Sequence, residues 1–119
     1  TNFSFSKAYE KAMKVLPETS ATYILCATDN IALAVMKAAH TLGLSIPNDF
    51  SLSGFGGYEV TSIVTPAITT VAYPYKKLGT LSVANIIGLI EGRKTIDNLE
   101  LPNQLIKRES TMPVNKDTL

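Results

Sequence analysis

Apolar residues along the chain recur with two different spacings, and each spacing predicts a different kind of element. A return every three or four residues predicts amphipathic helices over three segments, namely 6–16, 31–43 and 75–92. Short runs rich in β-branched and aromatic residues predict strands buried on both faces over three other segments, namely 21–27, 50–55 and 67–73. A final short strand is expected within residues 98–110. Strands and helices therefore alternate along the chain.

Polar, proline and glycine residues mark the ends of these elements. Ser6 is expected to cap the first helix, and Pro17 follows its end. The sequence Thr-Asp-Asn at 28–30 precedes the second helix, and Gly43 ends that helix. The order of elements predicts an α/β fold with a mainly parallel sheet, helices on both faces and right-handed crossovers.

Composition and charge narrow the class of protein. The 119 residues are 45% hydrophobic and 18% charged, which is typical of one compact domain or of part of a larger one. The net charge of +1 gives no electrostatic reason to expect that this segment contacts nucleic acid or a membrane. The chain opens almost at a helix, without Met, a signal peptide or an apolar run that could span a membrane. We therefore expect a fragment of a cytoplasmic protein.

The sequence lacks the patterns of the common catalytic and cofactor sites. The segment GFGGYE is similar to a dinucleotide fingerprint, but Glu59 stands where the third glycine is required. A phosphate-binding loop and a G-x-S-x-G elbow are absent, and the one histidine cannot form a His-based zinc site. Cys26 lies among apolar residues, which predicts an inert buried thiol in a reducing compartment. We expect no enzyme, no cofactor and no metal.

The loops that follow the strands are the candidate binding site, because ligands of parallel α/β sheets bind beyond the carboxyl ends of the strands. Each candidate residue has two interpretations. Thr28 could hydrogen-bond a sugar hydroxyl or complete a turn, and Asp29 could contact a ligand or cap its helix by accepting backbone N–H bonds. Tyr73 and Tyr75, on either side of Pro74, could stack on a sugar ring or pack in the core.

Two adjacent glycines, Gly56 and Gly57, follow the second buried strand. One interpretation is a turn that needs positive φ angles, and the other is close approach of a ligand to the backbone. On the second interpretation the missing side chains clear space for a bulky ligand, and backbone N–H groups remain available to donate to it.

Four segments follow one another in a distinctive order: TDNIALAVMKAAHTLGLSIPNDFSLSGF, TPAITTV, PYKKLG and LPNQLIKREST. In this order and spacing they resemble the C-terminal part of the effector-binding core of LacI/GalR-family transcription regulators. The resemblance covers essentially the whole chain. Within that family, the stretch GFGGYEVTSIVTPAITTVAYPY is most similar to the sucrose-operon repressors.

The resemblance implies a periplasmic-binding-protein-like (type I) core of two α/β lobes. Residues 1–72 and 103–119 would belong to the C-terminal lobe, about 76–102 would cross into the N-terminal lobe, and 73–75 would be a hinge crossing. A saccharide effector (sucrose, fructose or a phosphorylated derivative) would couple lobe closure to operator DNA affinity, through a DNA-binding module absent from this chain. The family also implies a homodimer, with Leu33 and Val64 in the interface.

The chain departs from the family pattern at two places. The Asn-Asp pair that the family usually has after the first strand is Thr28-Asp29 here. The acidic residue that usually binds a sugar hydroxyl in the family is replaced by Gly56. The alternative function is that of a solute-binding protein of a sugar transport system, which the absence of an export signal and the ending KREST disfavour. An enzyme ranks third, because no nucleophile stands beside a base.

Overall fold

The structure, a computed structural model, describes residues 4–93 and 98–113. The helices are α1 (Phe5–Val15), α2 (Asp29–Thr41), α3 (Val60–Ile63) and α4 (Tyr75–Ile90), with a 3₁₀ turn at Leu16–Glu18. The strands are β1 (Tyr23–Leu25), β2 (Ser51–Gly56), β3 (Thr69–Ala72) and β4 (Gln104–Ile106). The sequence did not predict α3, because a helix of one turn is too short to show a helical spacing.

The strands form one four-stranded sheet in the order β1-β2-β3-β4. β1 and β2 pair in parallel, with Ile24 opposite Leu52, and β2 and β3 pair in parallel, with Gly54 opposite Thr70. This arrangement confirms the predicted α/β fold with a mainly parallel sheet. Because parallel strands run in the same direction, β1, β2 and β3 present their carboxyl ends at one edge of the sheet.

The chain divides into two compact units. The first unit comprises the chain up to Ala72 together with the chain from Leu105 onward, and the second comprises Tyr73–Gln104. The first unit therefore holds β1, β2, β3 and the helices α1 to α3, whereas the second holds α4. The assignment of the chain to two lobes of a larger core stays a prediction.

The core of the first unit is a contiguous cluster of buried apolar side chains: Ala12, Leu16, Cys26, Ala32, Val35, Ala38, Ala39, Phe50, Leu52 and Ile68. Alanines dominate the buried face of α2, and their small size lets α1 and β2 pack closely against that helix. Leu52 in β2 is fully buried, and burial of a side chain of its size contributes about 1.5–3 kcal/mol. This packing holds α2 against β2.

The predicted burial of the first strand and the predicted N-cap of the first helix were both wrong. The first strand was expected to be buried on both faces, but Tyr23 is 50% exposed and Leu25 is 69% exposed, because alternation along β1 puts both side chains on one face, which the described chain leaves uncovered. The N-cap of α1 is Ser4 and not Ser6. The carbonyl of Ser4 already accepts the N–H of Ala8 at 3.0 Å, so Ser6 lies inside the first helical turn.

The second unit is built on α4. Its predicted apolar stripe is present, but the large apolar side chains of the helix are exposed in the described chain: Leu78, Val83, Ile86, Ile87, Leu89 and Ile90. Gly88 is the buried residue of this helix. Among the described residues, no helix has both the length and the apolar character needed to cross a membrane.

Candidate effector site at the carboxyl ends of the strands

Thr28 occupies the position between the end of β1 and the start of α2. Its backbone is extended, and its side-chain Oγ1 accepts the N–H of Ile31 at 3.3 Å, so Thr28 is the N-cap of α2. The expectation that Asp29 caps this helix through its side chain was wrong. Thr28 is half-buried, and its hydroxyl keeps a proton that can be donated to a second partner.

Asp29 is a buried carboxylate that links three segments of the first unit. The residue is 0% exposed. Its Oδ1 accepts a hydrogen bond from the Thr70 hydroxyl on β3 at 2.6 Å, and its Oδ2 accepts one from the Tyr58 N–H at 2.8 Å. Buried carboxylates are stable only when such donors satisfy them. Asp29 therefore holds the loop after β2 against α2 and β3, and direct contact of this carboxylate with a ligand stays a prediction.

Gly54 is required by the position of Asp29. A side chain at Gly54 would place its Cβ 3.1 Å from Cα of Asp29 and still closer to the carboxylate. Gly54 does not have a positive φ, so its role is steric and not conformational. The first glycine of GFGG thus makes room for a neighbouring side chain of the protein itself.

Gly56 and Gly57 both adopt backbone conformations that favour glycine. Their φ angles are +135° and +74°, and a Cβ on Gly57 would lie 2.6 Å from Cα of Ala72 in β3. The turn interpretation therefore accounts for both glycines. The glycines lie where the sequence placed them, at the end of β2, with Gly56 buried and Gly57 half-buried.

The backbone donors of this loop are used within the protein. The Gly57 N–H donates to Oγ1 of Thr70 at 3.2 Å, and the Tyr58 N–H donates to Asp29. The hypothesis that the N–H groups beyond Gly56 remain available to a ligand was thus wrong for both residues. A bound molecule would meet side chains here, since the turn directs these two N–H groups inward.

A second polar cluster, formed by Arg108 and Thr61, holds the loop after β2 in place. The sequence analysis did not predict this cluster. Arg108 donates through Nη1 to the hydroxyl of Thr61 in α3 at 2.7 Å and to the carbonyl of Ile68 at 2.8 Å. The hydroxyl of Thr61 donates in turn to the carbonyl of Tyr58 at 2.6 Å, and Thr61 is fully buried. The residues of the loop are thereby tied to the segment that follows β4.

Ser110, in the same segment after β4, forms hydrogen bonds with both β2 and β3. It is fully buried; its hydroxyl donates to the carbonyl of Leu52 at 2.5 Å and accepts the N–H of Thr69 at 2.8 Å. Its backbone N–H also donates to the carbonyl of Ala67 at 3.0 Å. The signal for this cluster was present in the sequence, because two adjacent threonines interrupt an apolar strand and demand buried polar partners.

Cys26, which follows β1, is buried as the sequence predicted, at 4% exposure. Burial, and to a smaller degree the charge of Asp29, raises the pKa of the Cys26 thiol to about 12. A thiol that keeps its proton in this way is a poor nucleophile. Within residues 4–93 and 98–113, no group of three or more His, Cys, Asp or Glu side chains could hold a metal ion.

Tyr73, Pro74 and Tyr75 open the second unit with a tight turn. Pro74 has φ −79° and ψ 60°, and the Tyr75 N–H donates to the carbonyl of Tyr73 at 2.9 Å, which is the geometry of an inverse γ-turn. The turn brings the two rings together edge to face, with centroids 5.4 Å apart. Tyr73 and Tyr75 are 36% and 50% exposed, and together with Lys76, Lys77, Thr80 and Leu81 they line a groove of about 680 Å³.

Leu33 and Val64, the residues predicted for a dimer interface, lie in the first unit. Both are half-buried and pack against its core cluster. Ile63, next to Val64, is 71% exposed. The structure thus gives Leu33 and Val64 a packing role, and their place in an interface stays a prediction.

The sequence of the chain is similar to those of known proteins. The chain matches the family described as "Periplasmic binding protein-like domain" over residues 2–111. It is 37% identical over 106 residues to the ribose operon repressor of Halalkalibacterium halodurans, an alignment that covers 86% of this chain and 32% of that protein. The chain therefore spans about a third of the length of the curated relatives that it matches first.

Two solved structures have the same architecture. A LacI family transcriptional regulator from Enterococcus faecium, solved with bound ribose, superposes with a TM-score of 0.87 at 28% identity, covering 95% of this chain and 42% of that one. A dimeric Lac repressor with a C-terminal deletion superposes with a TM-score of 0.86 at 32% identity, covering 94% of this chain and 42% of that one.

Proposed function

Because the chain belongs to the family of periplasmic binding protein-like domains and is an effector-binding domain of the LacI-family type, we propose that the protein containing it is a sugar-responsive transcriptional repressor. In this proposal the chain binds a saccharide and catalyses no reaction on it. The observation that carries the proposal is the likeness of 95% of the chain to a regulator solved with bound ribose.

The chemistry of both units suits a carbohydrate. In the first unit, the half-buried Thr28 hydroxyl lies where the strands end and can donate to a sugar hydroxyl. In the second unit, Tyr73 and Tyr75 present aromatic faces along a groove of about 680 Å³, which is within the usual range for small-molecule sites. Lys76 and Lys77 line the same groove and would favour a phosphorylated sugar.

The effector that we propose is sucrose, fructose or a phosphorylated derivative of either. A sugar that binds one conformation of the full-length protein more tightly than another shifts the population toward that conformation. If the two conformations differ in their affinity for operator DNA, the same sugar changes transcription by linkage. The DNA contacts would come from a module outside this chain, and such a repressor would act in the cytoplasm.

We also propose that the repressor is a homodimer. The similarity to a dimeric Lac repressor supports this proposal, and so does the 71% exposure of Ile63, a large apolar side chain beside Val64. A twofold interface on this side of the first unit would cover Ile63 and the outer edge of Leu33.

Calorimetric titration of the full-length protein tests the proposed function. The probes are sucrose, D-fructose, fructose 6-phosphate, lactose and D-ribose, each added to the same protein preparation. We expect at least one of them to bind with a 1:1 stoichiometry per chain and a dissociation constant below about 1 mM, which corresponds to roughly −4.1 kcal/mol. Absence of binding for all five sugars would contradict the proposal.

Replacement of Tyr75 tests the contribution of the second unit. If its ring stacks on the sugar, Tyr75→Ala weakens sugar binding about tenfold, whereas Tyr75→Phe retains most of the affinity because the ring remains. Both affinities are measured by the same titration, with the melting temperature as a control for folding. Equal losses in the two variants would show that the ring face is not the contact.

A further inference from the structure

Tyr58 lies directly after the two glycines of the loop, and its ring covers the position where a side chain at Gly56 would stand. A Cβ built on Gly56 would be 3.3 Å from Cε1 and 3.6 Å from Cδ1 of the Tyr58 ring. It would also be 3.3 Å from Oδ2 of Asp29. The space vacated by the side chain at position 56 is therefore not empty, because an aromatic ring lies beside it.

Three hydrogen bonds hold the backbone of Tyr58. Its N–H donates to the buried carboxylate of Asp29 at 2.8 Å. Its carbonyl accepts both the N–H of Thr61 at 3.0 Å and the hydroxyl of Thr61 at 2.6 Å. Thr61 is itself fixed by Arg108. These bonds fix the direction in which the Cα–Cβ bond of Tyr58 leaves the loop.

The side chain of Tyr58 nevertheless remains accessible. Its exposure is 42%, in contrast to the complete burial of the Asp29 and Thr61 partners that hold its backbone. An exposed aromatic ring with a phenolic hydroxyl can pack against the C–H face of a sugar ring and hydrogen-bond a hydroxyl of it. The site thus offers a sugar an aromatic surface just beyond the carboxyl end of β2.

We propose that Tyr58 is an effector-contacting residue that determines sugar specificity, and that Gly56 leaves its ring the room to do so. This inference rests on the proposed function, since it concerns the same sugar. It also assigns a second role to Gly56: besides its positive φ, the glycine leaves the ring of Tyr58 its place.

Two substitutions of Tyr58 in the full-length protein distinguish the contribution of its aromatic ring from that of an apolar side chain without a ring. Tyr58→Phe keeps the ring, and Tyr58→Leu keeps an apolar side chain over Gly56 but removes the aromatic face. The control is Tyr23→Ala, because Tyr23 is 50% exposed and lies at the amino end of β1, away from the carboxyl ends of the strands. Its hydroxyl donates to Ser53 in β2 at 2.8 Å, so this variant shows in its melting temperature what a lost hydrogen bond costs without a change at the loop. Affinities for sucrose, D-fructose, fructose 6-phosphate, lactose and D-ribose are measured by calorimetric titration, with melting temperatures for each variant.

The expected result is a loss of about tenfold in affinity for the bound sugar in Tyr58→Leu, a loss of about threefold or less in Tyr58→Phe, and no change in Tyr23→Ala. The ranking of the five sugars should also change in Tyr58→Leu. If the wild-type protein binds a sugar and Tyr58→Leu retains both its affinity and its ranking, the inference is wrong while the proposed function stands. If the wild-type protein binds none of the five sugars, the proposed function fails and the inference fails with it.

Discussion

Gly57 and Gly43 have the same φ angle of +74° but different surroundings, so their replacement by alanine separates backbone strain from steric overlap. A Cβ on Gly43 would meet no atom within 4 Å. A Cβ on Gly57 would lie 2.6 Å from Cα of Ala72 and would overlap the methyl group of that residue as well. The first substitution therefore measures strain alone, and the second measures strain together with overlap.

The magnitudes follow from these contacts. An alanine in the left-handed region costs about 1–2 kcal/mol at either position. Overlap with well-packed neighbours adds about 1–3 kcal/mol, and only Gly57→Ala incurs it. The smaller entropy of the unfolded chain, which favours alanine, applies equally to both variants and cancels in the comparison. We expect Gly57→Ala to be less stable than Gly43→Ala by about 1–3 kcal/mol.

Urea unfolding of the full-length protein and of both variants measures this difference, provided that all three give the same slope with denaturant. The midpoint of the transition that contains the first unit should fall in the order wild type, Gly43→Ala, Gly57→Ala. Equal midpoints for the two variants would refute the close approach of the loop to β3. A higher midpoint for Gly57→Ala than for Gly43→Ala would refute it more strongly.

Three further predictions concern the core, the thiol and the dimer. Asp29→Ala leaves the buried hydroxyl of Thr70 and the part-buried N–H of Tyr58 without their acceptor, and it should cost about 3 kcal/mol in urea unfolding. The control Asp49→Ala removes an exposed carboxylate that accepts the N–H of Ser45, and it should cost about 1 kcal/mol or less. Because burial raises the pKa of Cys26 from 9.0 to about 12, the folded state keeps a proton that the unfolded state loses. Its contribution to stability should therefore fall as pH rises from 9 toward 12, and a maleimide should label Cys26 at pH 8 only when the protein unfolds; fast labelling of the native protein would contradict this. Leu33→Asp and Ile63→Asp should each yield monomers in sedimentation at micromolar concentration. Ile63 is exposed, so its replacement should not disturb the core, whereas Leu33 packs against it. Unchanged masses would exclude this face as the interface.

The periodicity of apolar residues predicted the α/β order and the parallel sheet, because helices and buried strands in such a fold have distinct spacings. It did not predict that Tyr23 and Leu25 are exposed, since a run of apolar residues carries no information on which face of its strand is covered. The one-turn helix α3 also escaped prediction, because too few residues are involved.

The sequence predicted which loops follow the strands but not the hydrogen bonds made there. The loops after the strands were predicted from the general rule for parallel sheets, and Thr28, Asp29, Gly56 and Gly57 do lie there. The sequence could not reveal that Asp29 turns inward to bind Thr70 and the loop backbone, because those partners are distant along the chain and meet only through the parallel pairing of β2 and β3.

The most direct test of the central claim is the affinity of the full-length protein for DNA, measured with and without the sugar that it binds. Fluorescence anisotropy with a duplex selected from a random pool provides both dissociation constants under one salt concentration. The account predicts that the sugar changes the dissociation constant of the DNA complex by about 5-fold to 150-fold, which is the usual range of coupling between two sites. Selection of a specific duplex whose affinity is identical with and without saturating sugar would contradict the account.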